Sequence, residues 1–549
     1  MLLHFTQQNA DVSHAVKIVT AAEMRQIEQR CALEGLPPDA LMENAGRAVA
    51  EAVKHDAERG PVVVLVGPGN NGGDGLVAAR YLHGMGKAVT VYLLTERPAD
   101  DENLRRVREH GIRVVEAGAD PRNESPGTAL FDAAVAVDAV FGTGKLRPLS
   151  GSIAEALRAL RGVKRERPDL SVVAVDLPSG MDADTGLVDP LTPQADRTLT
   201  LGFPKPGLFN LPGAELAGRI EVLDIGIPAR LADLIRLDMI DGDWVRPVLP
   251  RRPLVANKGT FGKVMVVAGS SNYVGAAYLA CSAAARVGAG LVTLAIAAGL
   301  QPVLATRLTE ATYLPLPDDA PVDAAKAVRQ AVRDYQAMLV GCGLGQSPAA
   351  QSFLRALLFA PRRPPVPLVI DADGLNWLAK VPEWWRRLPD DAILTPHPGE
   401  MARLTGLSVE EIQRDRAGVA RKMAAEWRKV IVLKGAYTVV AGMRPARAVT
   451  DVEMLSYRAT AVSPFANPAL ASAGTGDVLA GAIAGLLAQG LAPYDAAVVG
   501  VYLHGLAGEM VAGRMGDTGV LASDLLPELP LAVKHTKAAG GKENRASSR

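Results

Sequence analysis

Cysteine is nearly absent. The chain of 549 residues has three, Cys31, Cys281 and Cys342, and none stands in a CxxC or other metal-ligand spacing. That excludes a disulfide framework and a structural zinc site, and a reducing cytoplasm is the expected compartment. Aromatic residues are also scarce, at 4%, and Lys plus Arg (59) balances Asp plus Glu (59). The chain therefore has neither a broad base-stacking surface nor a global basic field, and nucleic acid is not an expected partner. A clean apolar run of bilayer length is lacking as well. The most apolar window, 274–300, carries Arg286 and several glycines and reads as a buried helix followed by a buried strand, so no membrane partner is expected. The opening stretch MLLHFTQQNADVSH has no basic, then apolar, leader pattern, and no secretory leader is expected.

What the chain does have is alternation. Hydrophobic residues make up 48%, and the length calls for two or more domains. AAEMRQIEQRCALEG reads as a helix with Thr20 as N-cap and Gly35 as its stop; LMENAGRAVAEAV is a second, with its apolar face at 41, 42, 45, 48, 49, 52 and 53. Strand-like runs follow at 62–66, 89–94, 134–137, 172–175 and 198–201, most of them separated by helical stretches. A second series comes at 264–269, 291–296, 337–341, 367–373, 392–397 and 430–435. Two such series predict two α/β domains, each a parallel sheet covered by helices on both faces. Between them, the Pro-rich, mixed-charge stretch 224–259 holds the expected boundary.

In the first series GPGNNGGDG (67–75) joins a strand to a helix. Such a turn presents backbone N–H groups and the positive end of the helix dipole to an anion, with Asn71 and Asp74 adding side-chain ligands. Two further strand ends carry polar groups: Asp138 before Gly142-Thr143-Gly144, and Asp176 with Ser179. In an open parallel sheet the carboxyl ends of the strands line the ligand crevice, so these elements converge. Read bare, each could also be a tight turn or a helix cap.

The combination GNNGGDG, VDAVFGTG and VDLPSG, in that order, resembles the NAD(P)H-hydrate epimerases over roughly 18–228. The resemblance implies a Rossmann-like three-layer fold and epimerisation at C6 of the hydrated nicotinamide ring. It implies potassium held by Asn71, Asp138 and Ser179. It implies substrate contacts from Asn70, Asn71, Gly72, Gly73 and Asp74, from the turn Gly142, Thr143, Gly144, Lys145, Leu146, Arg147 and Pro148, and from Asp176. Lys145 departs from the apolar residue expected there. Epimerisation moves a proton, and Asp176 is the carboxylate chosen as acid/base.

In the second series AGTGD (473–477) opens the helix VLAGAIAGLLAQG. Its N–H groups face an anion, and Asp477 beside them is placed to take a proton from an attacking alcohol during phosphoryl transfer. KGTFG (258–262), GCGLG (341–345), TPHPGE (395–400) and LKGAYT (433–438) accompany it. Together these resemble the ribokinase-like fold, and within it the nucleotide-dependent NAD(P)H-hydrate dehydratases, over roughly 246–533. Asn257 and Lys263 stand where histidines are expected. By resemblance Lys434, Gly435, Ala436, Tyr437, Thr438 and Gly476 bind the nucleotide. Ala276, Ala277, Gly343, His397 and Asp477 face the hydrated dinucleotide, and Glu400 holds magnesium through water.

The expected organisation is an N-terminal extension 1–17, an epimerase domain 18–228, a linker 229–245, a ribokinase-like α/β/α dehydratase domain 246–533 and a disordered tail 534–549. The expected activity is repair of hydrated NADH and NADPH: the first domain interconverts R and S hydrates, and the second dehydrates the S hydrate using ADP, favoured over ATP, to give AMP and phosphate. Small-molecule substrates and a homo-oligomer are expected. The alternative is a kinase for a small alcohol, such as a vitamin precursor, preceded by a non-catalytic ligand-binding module.

Overall fold

The computed structural model describes residues 16–117, 126–144, 148–361, 364–444 and 457–538, so Lys145, Leu146 and Arg147 lie outside the described residues. The chain divides into two compact units, Lys17–Ile235 and Arg236–Arg549.

In the first unit, β1 (Val62–Val66), β2 (Val89–Leu93), β3 (Arg113–Glu116), β4 (Val135–Ala139), β5 (Ser171–Val175), β6 (Arg197–Leu201) and β7 (Arg219–Leu223) form one sheet in the order β3-β2-β1-β4-β5-β6-β7. Every pairing is parallel. Val62, Val64 and Val66 enter one apolar core and Val63 and Leu65 another, so the run VVVLV is apolar throughout because both of its faces are covered. The order reverses between β1 and β4, and the crossovers leave a crevice beyond their carboxyl ends. The helix Ala21–Leu33 starts at a capping box between Thr20 and Glu23, and Gly35 just past its end has φ +90°, as the sequence predicts.

In the second unit, β8 (Leu237–Met239), β9 (Lys263–Val267), β10 (Leu291–Ala297), β11 (Thr312–Leu316), β12 (Ala337–Val340), β13 (Leu368–Ile370), β14 (Ile393–Leu394), β15 (Val430–Leu433), β16 (Val439–Arg444) and β17 (Tyr457–Val462) make a sheet in the order β11-β10-β9-β12-β13-β14-β15-β16-β17-β8. It is parallel from β11 to β15 and antiparallel from β15 to β17, and its order reverses between β9 and β12. Helices Val274–Arg286, Thr475–Ala488, Pro493–Met515 and Leu525–Ala538 cover one face. The window 274–300 is the helix Val274–Arg286 followed by β10. Pro493–Met515 is apolar and long enough to cross a membrane, but 72% of its apolar window is buried, as in a core helix of this unit.

The boundary differs from the expected linker 229–245. Residues 237–239 form β8, which adds to β17 at the sheet edge, and Met239 N donates to Val16 O at 2.7 Å. Ile240, Trp244 and Val245 are buried in the core of the second unit, and Asp241 caps the short helix Gly242–Val245 through the Trp244 N–H. The strand is three residues long and mixed in character, which is why no period marks it in the sequence. At the other end, the helix Leu525–Ala538 runs five residues into the expected tail; residues 539–549 lie outside the described residues.

The cut that separates two whole cores therefore falls between Ile235 and Arg236. A fragment 243–549 loses Met239 and Ile240, 2% and 0% exposed, at about 1.5–3 kcal/mol for each such side chain. It is expected to unfold at clearly lower urea than a fragment 236–549, measured by circular dichroism.

Candidate active sites

In the first crevice three strand ends supply the polar groups. β1 leads into the helix Asn70–Gly84, whose opening packs closely on the sheet: a Cβ on Gly75 would lie 2.5 Å from the Ala139 Cβ. Gly72 and Gly73 are buried for the same reason, against Gly67 O and Met42, so they shape the turn rather than offer surface. Asn71 and Asp74 point in from the first turn and are 7% exposed. Asp138, at the end of β4, is fully buried and accepts from Ser179 Oγ (2.6 Å) and Ser179 N (2.9 Å). Burial raises its carboxyl above the usual range, opposed by the bonds from Ser179 and Val140. Asn70, Gly144 and Pro148 are exposed at the rim, with Gly142 and Thr143 half-buried.

Asp176 follows β5 with φ 67°, in the left-handed region that strains a non-glycine residue. Its Oδ1 accepts from Lys205 Nζ (2.5 Å), Leu201 N (3.1 Å) and Thr200 Oγ1 (3.3 Å). Its Oδ2 faces Gly142: a Cβ there would lie 3.3 Å from it and 3.4 Å from Asn71 Oδ1. The conformation thus aims one carboxylate oxygen at the turn while three donors hold the other. Asp74 is the contrast, since its carboxyl accepts no hydrogen bond among the described residues. Burial first, then the charges of Asp176 and Glu28, hold it well above the usual carboxylate range, with Lys205 opposing. Lys205 went unmarked in the sequence reading. It sits in GFPKPG between two prolines, where no period operates.

The oxygen set Asn71, Asp138 and Ser179 fits a hard monovalent cation. No Lys or Arg among the described residues pairs with the buried Asp138, and Asn71 Nδ2 is buried without a hydrogen-bond partner. A buried carboxylate lacking a counter-charge is what such an ion balances, and Asn71 Oδ1 would be the ligand atom of that side chain.

In the second crevice the loops after β9 and β12 interlock. Gly343 has φ +63°, and a Cβ on it would lie 2.7 Å from Tyr273 Cβ and 2.8 Å from Ala276 Cβ. Ala276 is half-buried there. Ala277 is fully buried beneath Gly269, so its side chain does not reach the crevice surface as expected; it serves by being small. The helix Thr475–Ala488 opens at Gly474, with Gly476 and Asp477 in its first turn. A Cβ on Gly476 would lie 3.2 Å from Lys434 Nζ, so an ammonium stands over the anion-binding end of this helix.

Asp371, 1% exposed, organises the charges. Its Oδ1 accepts from Lys434 Nζ at 2.7 Å, while ligand atoms of Asp371, Asp477 and Cys342 lie within 4.8 Å of one another. Burial works against the Lys434 charge, but Asp371 and Glu400 outweigh it and raise its pKa. Burial, then the like charge of Asp371, pushes Asp477 up to about 6. Sequence reading marked the strand at 367–373 but gave Asp371 no role. The rule that identified Asp138 and Asp176, a carboxylate at a strand end, applies to it equally.

Glu400, expected to hold magnesium through water, is buried at the start of the helix Pro398–Thr405. Its Oε2 accepts from His397 N at 2.9 Å and lies 3.8 Å from Lys434 Nζ, and its Oε1 lies 3.5 Å from His397 Nε2. Oε2 thus caps the helix, and its charge adds to that of Asp371 in favouring the Lys434 ammonium. His397 is half exposed, and its Nδ1 accepts from Gly399 N, so Nε2 carries the proton. Burial, then Lys434 and Arg403, lowers its pKa and keeps the ring neutral. In the loop after β15, Gly435 and Ala436 are exposed while Tyr437, with φ 53°, is buried, so only its backbone can face a ligand. Thr438 Oγ1 donates to Gly435 O at 2.9 Å, and buried Arg416 donates to Leu433 O and Lys434 O from behind the loop.

Comparison with known proteins gives two family matches. Residues 38–207 match the family described as YjeF-related protein N-terminus, and residues 264–531 match that described as NAD(P)H-hydrate dehydratase. The bifunctional NAD(P)H-hydrate repair enzyme Nnr of Moorella thermoacetica is 39% identical over 534 residues, covering 94% of this chain and 97% of its own length. The protein of the same name from Thermofilum pendens is 38% identical, covering 94% and 96%. Among solved structures, an ADP/ATP-dependent NAD(P)H-hydrate dehydratase from Bacillus subtilis, co-crystallised with ATP and Mg2+, is 33% identical over 54% of this chain and 98% of its own, with a TM-score of 0.45.

The charge arrangement in the second crevice has a measurable consequence. The Asp477 carboxyl should titrate near pH 6 by carbon-detected NMR. Asp371→Asn removes the like charge, so the midpoint should fall. An unmoved midpoint would show that the two carboxylates are not coupled.

Proposed function

Since the chain belongs to the family of bifunctional NAD(P)H-hydrate repair enzymes, we propose that its two crevices act in turn on one damaged cofactor. It is an enzyme with an NAD(P)H-hydrate epimerase unit and an NAD(P)H-hydrate dehydratase unit.

C6 of the hydrate bonds both a hydroxyl and the ring nitrogen. Asp176 Oδ2 takes the hydroxyl proton and returns it at nitrogen as the C6–N bond opens. Rotation of the freed aldehyde and reclosure on its other face invert C6. Asn71, Asp138 and Ser179 would hold potassium, which when bound supplies a fixed positive charge beside the substrate oxygens.

In the second unit hydroxide is a poor leaving group, and phosphorylation converts it into a good one. Asp477 takes the proton of the C6 hydroxyl as that oxygen attacks the terminal phosphorus of the nucleotide. The N–H groups of the turn Ala473–Gly476 and the Lys434 ammonium receive the charge on the transferring phosphoryl group. The ring nitrogen then expels phosphate, and loss of a proton from C5 completes the dihydropyridine. With ADP as the proposed donor, AMP and phosphate leave. No step is assigned to magnesium. The observation that carries this reading is Asp477 beside an anion-binding helix end covered by Lys434, because a proton acceptor and a phosphoryl cradle then share one crevice. A mixture of hydrate epimers, given each nucleotide in turn, tests it: recovery of near-ultraviolet absorbance with release of free phosphate separates repair from phosphorylation of a small alcohol.

Asp477→Asn should lower the dehydratase turnover number by on the order of 10²–10⁴-fold with the fold unchanged. Because the acceptor must be ionised, the wild-type rate should fall as pH drops through about 6. A flat profile there would remove Asp477 from the step.

Asp138→Ala should weaken epimerisation through the ion, and raised potassium should partly restore it. A variant indifferent to potassium titration would contradict the ion assignment.

A further inference from the structure

We propose that Lys205 is the positioning residue for Asp176: its ammonium fixes one oxygen of the carboxylate so that the other is presented to the turn at Gly142. The proposal rests on the reading of Asp176 as the epimerase acid/base.

Lys205 is 1% exposed, too deeply buried to touch a substrate lying in the crevice. Its ammonium has two acceptors, Asp176 Oδ1 at 2.5 Å and Leu201 O at 3.2 Å. Burying an ammonium is costly unless it is paired and bonded, and an apolar side chain would fill the same space without that cost. The charge therefore needs a reason, and the surrounding carboxylates supply one. Three of them, Asp176, Asp74 and Glu28, approach from the end of β5, from the helix Asn70–Gly84 and from the helix Ala21–Leu33, and Lys205 acts electrostatically on both Asp74 and Glu28. It donates a hydrogen bond to only one of the three, Asp176. The other donors to Asp176, Leu201 N and Thr200 Oγ1, bind the same Oδ1. All three donors therefore sit on one side of the carboxylate, and Oδ2 remains to take up a proton. Lys205 is what singles out Asp176, rather than Asp74, as the carboxylate held in a fixed orientation toward the crevice.

The test uses the full chain and a mixture of hydrate epimers. The dehydratase consumes one epimer in a fast phase, and the slow phase then reads epimerisation after subtraction of the spontaneous rate. Lys205→Met should lower the epimerase turnover number by on the order of 10–100-fold while its KM stays within about threefold. Lys205→Arg, which keeps the charge, should recover part of the loss. A purely structural role would instead track the melting temperature and show no selective recovery by arginine. Lys205→Gln keeps a donor without the charge and decides the matter if the methionine variant does not fold. A wild-type turnover number in Lys205→Met or Lys205→Gln, with Asp176→Asn inactive, overturns the proposal. Full activity in Asp176→Asn overturns the underlying acid/base reading instead, so the two failures are distinguishable.

Discussion

A carboxylate taken out of water needs a counter-charge or several donors, and both units meet that need at a strand end with a lysine from another crossover. Asp176 is bonded to Lys205 at 2.5 Å in the first, and Asp371 to Lys434 at 2.7 Å in the second. The pairs differ in which partner faces the crevice. In the first the aspartate presents a free oxygen and the lysine stays behind it. In the second the aspartate is buried and the lysine stands over the helix end. In the proposed mechanism the same ion pair thus yields a proton acceptor in one crevice and a cation for phosphate in the other. Removing either buried partner would leave the other uncompensated, which explains why these residues govern both the folding and the chemistry of their surroundings.

Asp477 shows how such a pair reaches a third group. Asp371 repels it while Lys434 attracts it, and together with burial the balance raises its pKa to about 6. A base poised there is ionised at neutral pH yet retains driving force for accepting a proton. Asp74 lies at the other extreme: burial and two acidic neighbours hold it well above the usual carboxylate range, with Lys205 opposing.

The central strands were legible because parallel strands covered on both faces read as unbroken apolar runs; VVVLV at 62–66 and VIVL at 430–433 are such runs. The peripheral ones were not. RVVE at 113–116 is short and half charged, and the antiparallel strands β16 and β17 follow a different pattern from the βα series. The glycine-rich turns were legible because close packing against neighbouring strands and loops restricts their composition, as at Gly75 and Gly343. Lys205 and Asp371 act through long-range pairing, which leaves no local spacing to read. Ala277 was assigned to the ligand by family resemblance, but its side chain lies on the inward face of the helix against Gly269.

The strand β8 has a consequence for how such chains can be assembled. It pairs along β17 and so covers that strand as the last of the ten-stranded sheet. A second unit grafted from residue 243 onward would arrive with a bare strand, whose unpaired N–H and C=O groups can recruit the same strand from another copy. Exchange of modules between related genes is therefore constrained to breakpoints upstream of Arg236, and the joining segment must be inherited together with the downstream unit.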